Sequence, residues 1–169
     1  MNWNEYVKKA ITTMAFRNDE VATTCTLLGM CGELAEYQHK LKYGIGSGNY
    51  HTELLKELGD VYWYIAVFSN LMHLDLEGYK YDVLKNVDPF MSIGLLQEAM
   101  KKGYRERSYH QIDATFLELV RYLLMDVRIY VEQQVLEQGS TITTVWQMNI
   151  DKLADRKERG VLHSAGDNR

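Results

Sequence analysis

The chain has 169 residues, the size of a single domain. Lys and Arg number 19 against 23 Asp and Glu, and the resulting formal charge of −4 argues against a partner that is nucleic acid. The 46% hydrophobic content argues against a disordered chain, and two cysteines are too few for a disulfide framework, so a reduced, cytoplasmic setting without a membrane span is expected.

Apolar residues recur at spacings of three and four along almost the whole chain, which predicts an all-α antiparallel bundle of five or six helices. In the first half, helices are predicted over 3–14, over 20–42 and from 51 or 52 to 73, with a glycine-rich loop over 43–49. In the second half, a short helix is predicted near 92–102, a long one over 111–137, and a last one from Ser140 or Thr141 to 159. Residues 160–169 are predicted to form an irregular tail.

Two pairs of carboxylates occur on the second and third predicted helices. Glu33 and Glu36 form the first pair, and Glu57 and Asp60 form the second. Each pair has the i, i+3 spacing that places both acids on one helix face. Because a short loop joins the two helices, they are expected to pack antiparallel, which would bring all four carboxylates into one small volume.

The third helix indicates that its acids face the protein interior. Glu57 and Asp60 share a stripe with apolar and aromatic residues, and the later half of this helix is apolar nearly all round. Buried acids are costly without cations, and the nearest lysines, Lys40 and Lys56, are too few for four acids. A divalent ion is therefore the predicted counter-charge, with Mg²⁺ first and Mn²⁺ as its substitute, because all-oxygen ligation suits hard ions.

Two other interpretations stay open. Glu36 and His39 have the Glu-x-x-His spacing of di-iron carboxylate bundles, although no second motif of this kind is present. A stripe along the long helix would instead suit a non-enzymatic helical interaction module. The stripe consists of Ile112, Phe116, Leu119, Leu123, Val127, Tyr130 and Gln134.

The last predicted helix carries a polar and cationic stripe. Asn149, Lys152, Arg156 and Arg159 follow one another at spacings of three, four and three. Such a stripe suits a triphosphate, because arginine offers a fork to phosphate oxygens and lysine a point charge. A solvated helix C-terminus, where the helix dipole favours cations, is the alternative interpretation.

Together these motifs resemble those of the MazG-like all-α nucleoside triphosphate pyrophosphohydrolases. Glu33-x-x-Glu36, a spacer over 37–56 and Glu57-x-x-Asp60 resemble the acidic signature of that family. Asn149-x-x-Lys152-x-x-x-Arg156 resembles its basic element. The likeness extends over residues 1–75 and 145–159.

This resemblance implies hydrolysis of a nucleoside or deoxynucleoside triphosphate to the monophosphate and pyrophosphate. The four acids would hold Mg²⁺, and one of them, or a water held by the metal, would supply the nucleophile. Lys152 and Arg156 would hold phosphates, and Asn149 would help to place the nucleotide. Members of the family form homodimers or homotetramers, so the same is expected of this chain.

Two features depart from compact members of the family. Residues 75–144 are interpreted as an extended helical insertion within one domain over 1–159, which would add a hairpin, shape the base pocket or build an oligomer interface.

The C-terminal Gly166-Asp167-Asn168-Arg169 resembles the endings of phage-type members. That ending prompts the expectation of a purine substrate, dGTP or GTP, and of a role in nucleotide-pool control or phage nucleotide metabolism in the host cytoplasm.

Overall fold

The computed structural model of the chain describes residues 1–16, 18–78, 88–106 and 113–161. Within these ranges the chain forms six α-helices and no strand, which confirms the all-α prediction. The helices are α1 (Trp3–Ile11), α2 (Asp19–Tyr43), α3 (Tyr50–Leu71), α4 (Pro89–Glu106), α5 (Ala114–Glu137) and α6 (Ile142–Glu158). Over the same ranges, none of the helices combines the length and the apolar character that crossing a membrane requires.

The ends of the first three helices lie close to their predicted positions. Helix α1 is shorter than predicted, because after Ile11 the backbone tightens to i, i−3 hydrogen bonds, with Thr12 N donating to Lys9 O at 3.1 Å and Thr13 N to Ala10 O at 3.1 Å. Helix α2 ends at Gly44, whose φ of 79° is a conformation that glycine adopts without steric cost.

Helix α4 is longer than the predicted segment at 92–102, and it begins at Pro89. Asp88 Oδ1 accepts hydrogen bonds from the backbone N–H groups of Phe90 at 3.0 Å and Met91 at 3.3 Å. The side chain of Asp88 therefore caps this helix, and Pro89 occupies its first position, where a missing N–H costs nothing.

The last two helices begin at capping side chains. Asp113 Oδ1 accepts from Phe116 N at 2.8 Å, so α5 starts at Ala114, while the predicted start over 111–112 lies outside the described residues. Thr141 Oγ1 accepts from Thr144 N at 3.2 Å, which confirms one of the two predicted caps of α6. The predicted tail lies outside the described residues beyond Val161.

Helix α3 lies at the centre and contacts α1, α2, α5 and α6. It runs antiparallel to α2, since Lys40 near the end of α2 contacts Glu53 near the start of α3. Its later half is buried as predicted. All six helices contribute to one apolar core, and the hydroxyl of Tyr37 on α2 donates to Gln134 Oε1 on α5 at 2.8 Å.

The stripe predicted along the long helix is divided between core and surface. Leu123 and Val127 are buried in the core, whereas Leu119 is 48% exposed. Ile112 lies outside the described residues. The buried members pack against other helices of the same chain, so they are not available as a surface for another protein.

Candidate active site

The antiparallel packing of α2 and α3 brings three of the four predicted acids together. Glu33, Glu36 and Glu57 each place a carboxylate oxygen within 4.8 Å of the others, and we call these residues the carboxylate group. Glu57 is buried, Glu33 is half-buried and Glu36 is exposed, so the group runs from the core to the surface.

The carboxylate group carries a surplus of negative charge. Burial, the nearby charge of Asp60 and a hydrogen bond with Glu57 raise the pKa of Glu33 to about 9. A carboxyl group in this setting binds a proton to relieve the repulsion, and a cation would relieve it in the same way.

The buried acid Glu57 has a lysine partner, Lys40, one of the two lysines that the sequence offers as counter-charges. Lys40, one turn beyond Glu36 on α2, donates to Glu57 Oε1. The Glu57 side chain is only 2% exposed, so the ammonium offsets much of the cost of burying the carboxylate. Lys56, the other lysine considered, pairs with Glu53 at 2.6 Å.

Asp60 lies outside the carboxylate group, and two of its partners are on α6. Asn149 Nδ2 donates to Asp60 Oδ1 at 2.8 Å, and Lys152 Nζ donates to Asp60 Oδ2. The predicted basic stripe thus reaches the acidic site directly. Lys152, predicted to hold phosphate, contacts a carboxylate in this structure, because α6 packs against the face of α3 that carries Asp60.

Asn149 is fixed by a residue that the sequence analysis missed. Tyr6 on α1 is buried, and its hydroxyl donates to Asn149 Oδ1 at 3.1 Å. The Tyr6 ring stacks on Trp146 with centroids 5.1 Å apart. Burial, followed by the charge of Asp60, raises the pKa of Tyr6, so this hydroxyl keeps its proton and remains a donor. The sequence offers no local signal for this contact, since 143 residues separate Tyr6 from Asn149.

Two cavities meet at α6. The first, which we call the acid recess, has a volume of about 140 Å³ and is lined by Thr13, Glu33, Asp60, Trp63, Tyr64, Leu153 and Arg156. The second, which we call the α6 groove, has a volume of about 350 Å³. Its charged lining residues are four cations and two acids: Lys56, Lys152, Arg156, Arg159, Asp151 and Asp155. Arg156 lines both cavities and therefore lies between the acidic and the basic parts of the site.

Two aromatic residues of α3 line the acid recess. Trp63 Nε1 donates to Thr13 Oγ1 at 2.9 Å and to Ala10 O at 3.2 Å, which fixes its ring. Tyr64 lies against Gly29 so closely that a Cβ built on this glycine would be 2.2 Å from the tyrosine ring. Both side chains are half-buried, so each leaves part of its ring accessible in the recess.

The donor set fits a hard divalent cation. Three carboxylates within reach of one another supply oxygen ligands of the kind that hard ions prefer, and Lys40 contacts only one of the three, Glu57. The residues that would hold the ion are Glu33, Glu36 and Glu57. Asp60 would act at the edge of the site, since it lines the acid recess together with Glu33.

The histidine of the di-iron interpretation lies away from these acids. His39 is exposed, and its ring lies 4.9 Å from that of Tyr43, centroid to centroid. Among the residues that the structure describes, the carboxylate group contains no histidine.

One relative of known sequence is the gene 37 protein of Mycobacterium phage L5, which is 46% identical over 46 residues. The match covers 27% of this chain and only 40% of the length of the phage protein. No protein-family model and no solved structure matches the chain. The expected likeness to phage proteins is thus confirmed for one part of the chain.

Proposed function

We propose that the protein is a Mg²⁺-dependent nucleoside triphosphate pyrophosphohydrolase. The observation that carries the proposal is the arrangement around α3, where the carboxylate group shares Glu33 with the acid recess and the recess shares Arg156 with the α6 groove, in which cations outnumber acids. A triphosphate needs both parts, because metal ions and cations together neutralise its charge while water attacks. The resemblance to MazG-like enzymes supports the same assignment.

In the proposed reaction, water attacks the α-phosphorus and the bond from that phosphorus to the bridging oxygen breaks. Pyrophosphate leaves with the bridging oxygen, the monophosphate keeps the oxygen of water, and one proton is released. Mg²⁺ held by the carboxylate group would neutralise phosphate charge and activate the water. Arg156 offers a fork to phosphate oxygens, and Lys152 and Asn149 hold Asp60 at the edge of the recess.

The base of the nucleotide would stack on the aromatic part of the acid recess. Trp63 and Tyr64 leave ring surface accessible there, and Trp63 is fixed by two hydrogen bonds. A purine deoxynucleotide, dGTP, is our first candidate substrate, with GTP next. The active protein is proposed to be a homodimer or homotetramer that acts in the cytoplasm, or in that of a phage host, as the likeness to a phage protein supports.

The test is to incubate the protein with each common NTP and dNTP and Mg²⁺, and to identify the phosphorus products by ³¹P NMR. We expect the monophosphate and pyrophosphate in equal amounts, and no reaction when a chelator replaces Mg²⁺. Release of orthophosphate in place of pyrophosphate would contradict the reaction type. Absence of hydrolysis across the whole panel would contradict the proposal itself.

A further inference from the structure

Lys40 belongs to neither of the motifs that define the site, yet it contacts the most deeply buried acid. It lies one turn after Glu36 on α2 and donates to Glu57. Its Nζ also lies 3.4 Å from Glu53 Oε2, and about a fifth of its side chain is exposed. An ammonium group therefore lies beside the carboxylate group, at the side opposite the acid recess along the antiparallel pair α2 and α3.

The Lys40–Glu57 pair has one consequence for folding and another for cation binding. Without an ion, the lysine offsets the free-energy cost of desolvating the buried Glu57 carboxylate. When a divalent ion enters, it approaches the same carboxylate, and the ammonium then repels it over a short distance. One side chain thus stabilises the ion-free protein and weakens cation binding.

Resting on the function proposed above, we infer that Lys40 is a positioning residue that acts as the resident counter-ion of Glu57 and competes with the divalent cation for it. Its presence makes ion loading depend on additional negative charge, which the phosphates of the substrate supply. Cation and triphosphate then bind more tightly together than either does alone.

A purely structural role for Lys40 would give the opposite result. If the lysine served only to hold Glu57 in place, its removal would disorder a ligand and would weaken cation binding or leave it unchanged. Competition predicts tighter binding, because a positive charge is removed from beside a cation site. The sign of the change in affinity therefore separates the two roles.

The experiment is calorimetric titration of the full chain with Mn²⁺ in the absence of nucleotide. Lys40→Met removes the positive charge. Lys40→Gln also removes it but keeps an N–H donor for Glu57, so this variant tests the competition if Lys40→Met does not fold. We expect both to bind Mn²⁺ about tenfold more tightly than the wild type. Lys56→Met, which removes an adjacent lysine paired with Glu53, is the matched control and is expected to change the affinity by about twofold at most.

A second readout is thermal unfolding with chelator and with Mn²⁺. Lys40→Met is expected to unfold at a lower temperature than the wild type in chelator and to recover most of that loss with Mn²⁺, since the ion replaces the missing ammonium. Unchanged or weaker Mn²⁺ binding by the Lys40 variants would overturn the inference and leave the proposed function standing. A wild-type protein that binds no Mn²⁺, with or without a triphosphate, would overturn both.

Discussion

Glu57 and Asp60, the two site acids of α3, lie on different faces of the helix and have different neighbours. Toward α2, Glu57 meets two further glutamates and one lysine. Toward α6, Asp60 meets an amide and a lysine, with an arginine lining the same recess. The first face is therefore suited to a cation and the second to an anion, although the two acids lie only one helical turn apart.

The difference shows how one helix can organise both halves of a charged site. The acids alone do not distinguish the faces, because each has a lysine partner. The distinction comes from the neighbouring helix: α2 places Glu33 and Glu36 beside Glu57, whereas α6 places Asn149 and Lys152 beside Asp60. Three changes, in order of decreasing expected effect, test this comparison.

The largest effect is expected from Glu57→Gln on the α2 face. The substitution keeps the shape of the side chain and removes the charge of the most buried member of the carboxylate group. We expect pyrophosphate release to fall about 100-fold or more, because an ion ligand is lost. Initial rates at saturating Mg²⁺ measure the effect.

Glu53→Gln is the matched control for this change. Glu53 also lies on α3 and pairs with Lys40 and Lys56, but it is not a member of the carboxylate group. Its loss is expected to leave the rate within about threefold of the wild type. Equal losses in the two variants would show that general charge, and not the carboxylate group, supports the reaction.

An intermediate effect is expected from Gly59→Ala on the α6 face. A Cβ built on Gly59 would lie 3.2 Å from Asn149 Cβ and 3.5 Å from Val145 Cγ1, so α6 must shift by a few tenths of an ångström. We expect activity to fall about tenfold as the Asn149 amide moves away from Asp60. The gain in helix propensity, about 1 kcal/mol, is outweighed by an overpacking cost of about 1–3 kcal/mol.

The control for Gly59→Ala is the same substitution in α4. A Cβ built on Gly94 meets nothing within 4 Å, so Gly94→Ala should raise the free energy of unfolding by about 1 kcal/mol without changing activity. Urea unfolding and initial rates measure both variants. Full activity in Gly59→Ala would show that close packing of α3 on α6 is not needed at the site.

The smallest effect is expected at Asp126. This buried acid accepts a hydrogen bond from a serine, so it can be compared with Glu57, which is paired with a lysine. Asp126 is 5% exposed and accepts from Ser92 Oγ at 2.9 Å, while its Oδ1 is buried without a hydrogen-bond partner among the described residues. Burial raises the pKa of Asp126. The ionised form at neutral pH therefore destabilises the folded protein, unlike Glu57 with its ammonium partner.

Asp126→Asn is expected to raise the free energy of unfolding by about 1 kcal/mol at neutral pH. Because the folded protein binds the Asp126 proton more tightly than the unfolded chain, the wild type gains stability as the pH falls through the raised pKa. The advantage of the variant should therefore vanish below the ordinary aspartate pKa of about 3.9. Urea unfolding at several pH values measures the free energy of unfolding of the wild type and the variant. Asp151→Asn, at an exposed aspartate, is the control. A lower stability of Asp126→Asn than of the wild type at neutral pH would contradict the prediction.

Local features of the fold could be predicted from the sequence because they depend on residues close together in the chain. The i, i+3 spacing placed Glu33 and Glu36 on one face of α2, Gly44 marked the end of that helix, and Thr141 marked the start of α6. The same spacing did not keep Glu57 and Asp60 together, because Glu57 faces α2 and Asp60 contacts α6. The Asp88-Pro89 boundary before α4 also follows from the sequence, because the residue before a proline avoids helical angles and proline favours the first helical position. The antiparallel contact of α2 and α3 followed from the short loop between them.

Contacts between distant parts of the chain could not be predicted in the same way. Lys152 and Asp60 are 92 residues apart, and nothing in the pattern of either helix specifies that α6 packs on this face of α3. The bond from Tyr6 to Asn149 depends on the same packing. Sequence reasoning thus identified the charged residues and their helices, but it assigned Lys152 to phosphate alone and did not specify which acid Lys40 contacts.

The position of Trp63 gives the protein an optical property of practical use. Trp3 and Trp146 are 2% and 5% exposed and lie against each other in the core, whereas the half-buried indole of Trp63 lines the acid recess beside Glu33 and Asp60. Its intrinsic fluorescence is therefore the part of the tryptophan emission most sensitive to whatever enters the recess. Occupancy can be followed on the unlabelled chain, independently of any turnover.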